Sequence, residues 1–165
     1  MPRNKEKGKI GFIGAGNMGE ALIKGMLLSQ SFSPQQLLAS DKVSGRLKYL
    51  AKTYKIKAFE KNSEVVRRSD VIVLAVKPQN LEEALKEVRE GLSKDKLLIS
   101  ILAGIPVGKI QGFLKKGGRI IRAMPNAPAL VQEGATAIFR GDQATEKDGQ
   151  ITRRIFDSVG RTIIL

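Results

Sequence analysis

Gly14, Gly16 and Gly19 stand in the spacing G-x-G-x-x-G, directly after the apolar run Lys9 to Ile13 and before a segment of helical pattern. Each glycine suits a different need of a bound dinucleotide. Gly14 lets the chain leave a strand in a tight turn. Gly16, lacking a Cβ, lets a pyrophosphate approach the backbone. Gly19 lets the following helix pack close to the strand. Ala15, Asn17 and Met18 complete the loop, and the free N–H groups of a helix N-terminus face the phosphates. The same glycines also fit a plain strand–turn–helix, so position within the chain decides between the two.

The next chemically distinctive residues cluster about twenty positions on, at Ser40-Asp41-Lys42, with Arg46 a helical turn further. In a dinucleotide site an acid here binds the ribose hydroxyls of NAD, whereas basic or hydroxyl groups accept the 2′-phosphate of NADP. Asp41 argues for the first, or for a cap on the next helix; Ser40, Lys42 and Arg46 argue for NADP(H). The balance favours NADP, with NAD possible. Three further loops fall at strand ends, where such a cofactor lies: Ala75-Val76-Lys77-Pro78, the stretch 100–105 with the small residues Ala103 and Gly104, and Met124-Pro125-Asn126. Lys77 also reads as a solvated lysine, and Met124 as core. The prolines flanking Asn126 stiffen that loop.

The chain has no histidine and no cysteine. Imidazole acid–base catalysis, thiol nucleophiles, disulfides and imidazole or thiolate metal sites are therefore ruled out. We identify no catalytic side chain and no metal ligand set. The proposed chemistry rests on positioning a bound cofactor.

These loops need elements that bring them to one edge. Strands are expected at 9–13, 37–40, 57–59, 71–76, 97–101, 119–123, 135–139 and 161–165. Helices are expected at 17–29, 46–54, from Asn62 (itself the expected N-cap), 81–92, 106–113 and around Ile151, Ile155 and Val159. The continuous apolar run Val71 to Val76 reads as a central parallel strand covered on both faces, and Leu81, Ala84, Leu85, Val88 and Leu92 follow helical spacing. Residues 115–118 read as a turn. Such alternation predicts an α/β fold: a single domain over 9–165, with a Rossmann-type, mostly parallel sheet and helices on both faces. Residues 1–8 are expected to form a basic N-terminal tail.

The 165 residues carry a net charge of +13 with only 5% aromatic residues. Basic residues are spread along the chain and no aromatic platform accompanies them, so no nucleic-acid partner is expected. The surface instead attracts an anionic cofactor and substrate. No apolar run approaches the ~20 residues of a membrane helix, and no signal-peptide core is evident, so a cytoplasmic protein without a membrane partner is expected.

Taken in order, Gly11 to Met18, Ala75 to Pro78, Ser100 to Ile105 and Met124 to Val131 resemble the successive motifs of pyrroline-5-carboxylate reductase. The block Met-Pro-Asn-x-Pro-Ala-Leu-Val is the specific one. Ala127 stands where the family often has threonine. The resemblance implies NAD(P)H-dependent reduction of 1-pyrroline-5-carboxylate, a cyclic imine, to proline. It also implies cofactor contacts from Ala15, Asn17, Met18, Ser40, Asn62, the Ala75 to Pro78 loop and Ala103. The family continues into an all-helical domain that makes a homo-oligomer and most of the substrate pocket. A chain that lacks that domain is expected here, and with it weak activity. A non-catalytic NAD(P)-binding module is the competing expectation.

Overall fold

A computed structural model describes residues 8–114 and 118–165. Eight strands alternate with six helices: β1 (Ile10–Ile13), α1 (Asn17–Leu28), β2 (Leu37–Ser40), α2 (Ser44–Tyr54), β3 (Lys57–Phe59), α3 (Asn62–Arg68), β4 (Val71–Leu74), α4 (Leu81–Val88), β5 (Leu97–Ser100), α5 (Val107–Gln111), β6 (Arg119–Met124), β7 (Gly134–Arg140), α6 (Glu146–Phe156) and β8 (Gly160–Ile164). Every residue of β1, β2, β4 and β5 is buried. Strands with helices on both faces have no solvent side, which is why their sequences run apolar without alternating.

The strands form one sheet in the order β3-β2-β1-β4-β5-β6-β7-β8. Pairing is parallel throughout except between β6 and β7. The expected Rossmann-type α/β architecture is thus observed, with β7 and β8 completing one edge. β1 sits between β2 and β4, so the connection reverses direction across the sheet at β1. This reversal opens a crevice at the carboxyl ends of the central strands.

Two apolar layers hold the helices to the sheet. On one face Phe12, Leu22, Met26, Ile121, Ile155 and Phe156 pack together. On the other, Ile72, Leu74, Leu85, Leu98 and Ile110 do so. In α4 the buried residues are Leu81, Ala84, Leu85 and Val88, the spacing of one helical face. Thr145 caps α6 reciprocally with Asp148, and the buried Asp148 carboxylate also accepts from Arg119 at 3.0 Å. One acid thereby closes the helix start and ties it to β6.

Local differences from the sequence reading have physical reasons. The strand expected over 71–76 ends at Leu74; Ala75 and Val76 turn away to line the crevice before Pro78. The helix expected over 81–92 ends at Val88 and tightens into a 3-10 turn over Arg89–Gly91. That expected over 106–113 is the short α5. Asn62 does not cap α3: it is the first helical residue, and Lys61 holds the cap position without a side-chain bond. Residues 1–7 of the expected tail and 115–117 of the expected turn lie outside the described residues. No helix among the described residues is long and apolar enough to cross a membrane.

α1 lies hard against the segment Asp157–Val159, and Gly25 is the point of contact. A Cβ there would stand 2.6 Å from the Ser158 carbonyl oxygen and 2.8 Å from Val159 Cγ1. Gly25→Ala is therefore expected to destabilise the domain by about 1–3 kcal/mol, the usual cost of overpacking, despite alanine's better helix propensity. Urea unfolding of the variant against the wild type checks this; an unchanged or higher midpoint would contradict the packing described.

Candidate functional site

The crevice holds a cavity of about 300 Å³ between the glycine loop, the β2–α2 turn, the start of α3 and one face of α4. Gly14 has φ +89°, and a Cβ on it would meet the Ala75 carbonyl oxygen at 2.8 Å. The turn after β1 therefore accepts glycine alone at this position. Gly16 differs: a Cβ there would meet nothing within 4 Å, so its exposed side is open. Gly16 also occupies the N-cap of α1, and no side-chain hydrogen bond caps that helix. The first-turn amides of Asn17, Met18 and Gly19 are thus left for an external acceptor, the arrangement an anionic group needs. A pyrophosphate fits this cradle by shape and by donor chemistry.

Of the residues singled out from sequence, Gly14, Ala15, Gly16, Asp41, Lys42, Asn62, Ala75, Val76 and Lys77 line the cavity. Asn17, Met18, Gly19, Ser40, Arg46 and Pro78 adjoin it without lining it. Ala103, Met124 and Asn126 are exposed at neighbouring strand ends, beyond the enclosed volume. Asn126 Oδ1 accepts from the Ala135 amide at 2.9 Å, which fixes the proline-flanked loop to β7. Val43, Asn80, Glu83, Ala84 and Glu87 also line the cavity and were not foreseen. The helical spacing of Glu83 and Glu87 on α4 was the available signal, but it reads as an ordinary solvated face until the crevice is known.

Charged side chains hold the glycine loop in shape. Asp41 accepts from the Ala15 amide through one oxygen and from the Val43 amide through the other, each at 3.0 Å. It shapes the turn and does not cap α2. Arg46 faces the loop instead of open solvent. Its Nε donates to the Ala15 carbonyl at 2.6 Å and its guanidinium also reaches the Gly16 carbonyl and Glu20. Lys42 pairs with Glu83 at 3.1 Å across the cavity mouth. Ser40 is fully buried; its hydroxyl donates to Asn62 Oδ1 at 2.6 Å. Asn62 in turn donates through its amide and its Nδ2 to the two oxygens of Glu87, each at 3.1 Å.

Glu20 is the hub behind the loop. It accepts from Arg46, Tyr49 and Tyr54. Burial alone raises its pKa, but the bonds from the two tyrosines and Arg46 outweigh it and hold the carboxyl below its ordinary 4.5. Burial, together with this carboxylate, pushes the Tyr54 hydroxyl well above the usual phenol range.

A carboxyl with a depressed native pKa contributes stability that is complete above about 4.5 and is lost as the pH falls through its lower folded value. Glu20→Gln is accordingly expected to cost about 1.5–3 kcal/mol at pH 7, the range for hydrogen bonds to a charged group. The gap from wild type should narrow progressively below pH 4.5. Urea titrations across that range test it, and a gap that ignores pH would refute the charged role of Glu20.

A family model described as NADP oxidoreductase, coenzyme F420-dependent, matches residues 9–104. A pyrroline-5-carboxylate reductase of Methanosarcina acetivorans is 40% identical over 158 residues, which are 96% of this chain and 58% of that protein. The solved pyrroline-5-carboxylate reductase of Coxiella burnetii superposes with a TM-score of 0.92 at 29% identity, over 96% of this chain and 58% of that one. That of Plasmodium falciparum, solved with NADP bound, gives 0.86 at 30% identity, over 98% and 59%. The chain thus spans rather less than two thirds of the length of these relatives. Pyrroline-5-carboxylate reductases are among the relatives that match it across its length, and the chain belongs to the NADP oxidoreductase, coenzyme F420-dependent family.

Proposed function

We propose that this chain is the cofactor-binding part of a pyrroline-5-carboxylate reductase, reducing 1-pyrroline-5-carboxylate to L-proline with NADPH preferred to NADH. The observation that carries the reading is the uncapped start of α1 at Gly16, opening on the crevice cavity. The relatives at 30–40% identity and the NADP in the Plasmodium falciparum structure support the substrate and the phosphorylated cofactor.

A bound reduced nicotinamide supplies the hydride. The chain's own residues bind and orient. The Asn17, Met18 and Gly19 amides serve as pyrophosphate donors, Gly14 and Gly16 give the backbone approach, and Asp41 and Arg46 hold the loop rigid around them. Lys42, exposed at the cavity mouth, is the cation for the 2′-phosphate. Arg46 is committed to the loop and Glu20, so the phosphate preference rests on fewer groups than the sequence suggests. The Ala75 to Pro78 loop, with Lys77, forms one wall towards the nicotinamide. Ala103 leaves room for a flat ring, and the Met124-Pro125-Asn126 loop forms a second, stiff wall. No proton donor is required of the chain, because an imine protonated in solution is already electrophilic; holding the two reactants in contact is the main task.

The walls beyond the cavity are open. Ala103 is exposed and Met124 is 40% exposed, so a reacting ring gains little from exclusion of water. The 165-residue chain is therefore expected to bind NADPH measurably and more tightly than NADH, with the margin shrinking as salt rises. It is expected to turn over pyrroline-5-carboxylate much more slowly than a version joined to a helical domain from one of its relatives. Fluorescence titration and a steady-state assay of both proteins check this. Binding without turnover in either protein favours a non-catalytic nucleotide-binding module, and equal turnover in the two places the substrate pocket within these residues.

A further inference from the structure

We infer that Glu83 on α4 is a specificity residue that opposes the 2′-phosphate of the cofactor and so restrains the preference for NADPH. The inference rests on the functional reading above and adds a residue that neither the motif nor the resemblance singles out. The chain as a whole carries +13, yet the cavity is locally acidic. Asp41, Glu83 and Glu87 line it, against Lys42 and Lys77. Glu83 and Glu87 stand one helical turn apart, and each engages a donor at the adenosine end: Glu83 takes Lys42, and Glu87 takes the backbone N–H and the side-chain Nδ2 of Asn62. Lys42 is the cation placed to meet a 2′-phosphate, and its ammonium lies 3.1 Å from the Glu83 carboxylate.

Both side chains of that pair are about two-thirds exposed, so the pair itself is weak and opens readily. The negative charge of Glu83 does not leave when it opens. A phosphate reaching Lys42 must either displace the carboxylate or sit beside it, and two like charges in a partly enclosed mouth repel. A ribose with free hydroxyls meets no such opposition. Glu83 therefore acts on the difference between the two cofactors, which is what specificity requires.

The test is equilibrium titration of the 165-residue wild type, Glu83→Gln and Glu83→Lys with NADPH, NADH and adenosine 2′,5′-bisphosphate, read by nicotinamide fluorescence or calorimetry. Glu83→Gln is expected to tighten NADPH about three- to tenfold at low salt, the scale of a screened charge pair, with NADH moving less than twofold. Glu83→Lys should extend the same trend. Adenosine 2′,5′-bisphosphate should follow NADPH, because the effect belongs to the adenosine end. Thermal unfolding of each variant confirms that it is folded. If NADPH and NADH both bind the wild type and their ratio is unchanged by either substitution, or if both cofactors tighten alike, this inference is overturned alone. A wild-type chain that binds neither cofactor overturns the functional reading, and this inference with it.

Discussion

The crevice depends on one crowded turn. Gly14 leaves β1 with a left-handed backbone, donates its amide to the Ser40 carbonyl at 3.0 Å, and has no room for a side chain against Ala75. The ends of β1, β2 and β4 thus meet at a residue that contributes only backbone. Gly19 extends the same crowding into α1, where a Cβ would stand 3.1 Å from the Gly14 carbonyl oxygen. Any side chain at Gly14 would push these strand ends apart and move every group that faces the cavity.

Ionised side chains keep this turn from relaxing. Ala15 is fully buried, and both of its backbone groups are taken by charged partners: its amide by Asp41, its carbonyl by Arg46. Arg46 is itself held by Glu20, which accepts from two tyrosines as well. A loop fixed from both sides presents its remaining donors without first having to order them. Such preorganisation lowers the entropy cost of binding.

Much of this was legible in the sequence. The glycine spacing, the apolar run from Val71 and the alternation of strands with helices dictate a parallel α/β sheet, because only burial on both faces accounts for strands with no polar side. The shape of the turn was legible where backbone decides it, at Gly14 and Gly16. The intramolecular partners of its side chains were not legible. Arg46 reads as a phosphate ligand because charge is visible in a sequence, whereas the competing carboxylate, Glu20, comes from another helix. Asn62 reads as a cap by type and position, but its side chain is spent on Ser40 and Glu87. Glu83 and Glu87 look like ordinary solvent-facing helix residues until the topology lays α4 along the crevice.

The contact between α1 and Asp157–Val159 also bears on how the protein comes into being. Leu22 and Met26 of α1 share their apolar layer with Ile155, Phe156 and Val159, more than 120 positions later in the chain. Ribosomes add roughly 5–20 residues per second, so the first helix waits on the order of ten seconds for its cover. The β1–β4 core can be assembled well before that, but the face it shares with α6 stays greasy until residues 155–159 have emerged. Until then the nascent domain is a half-covered sheet, and that interval is when a chaperone has something to hold.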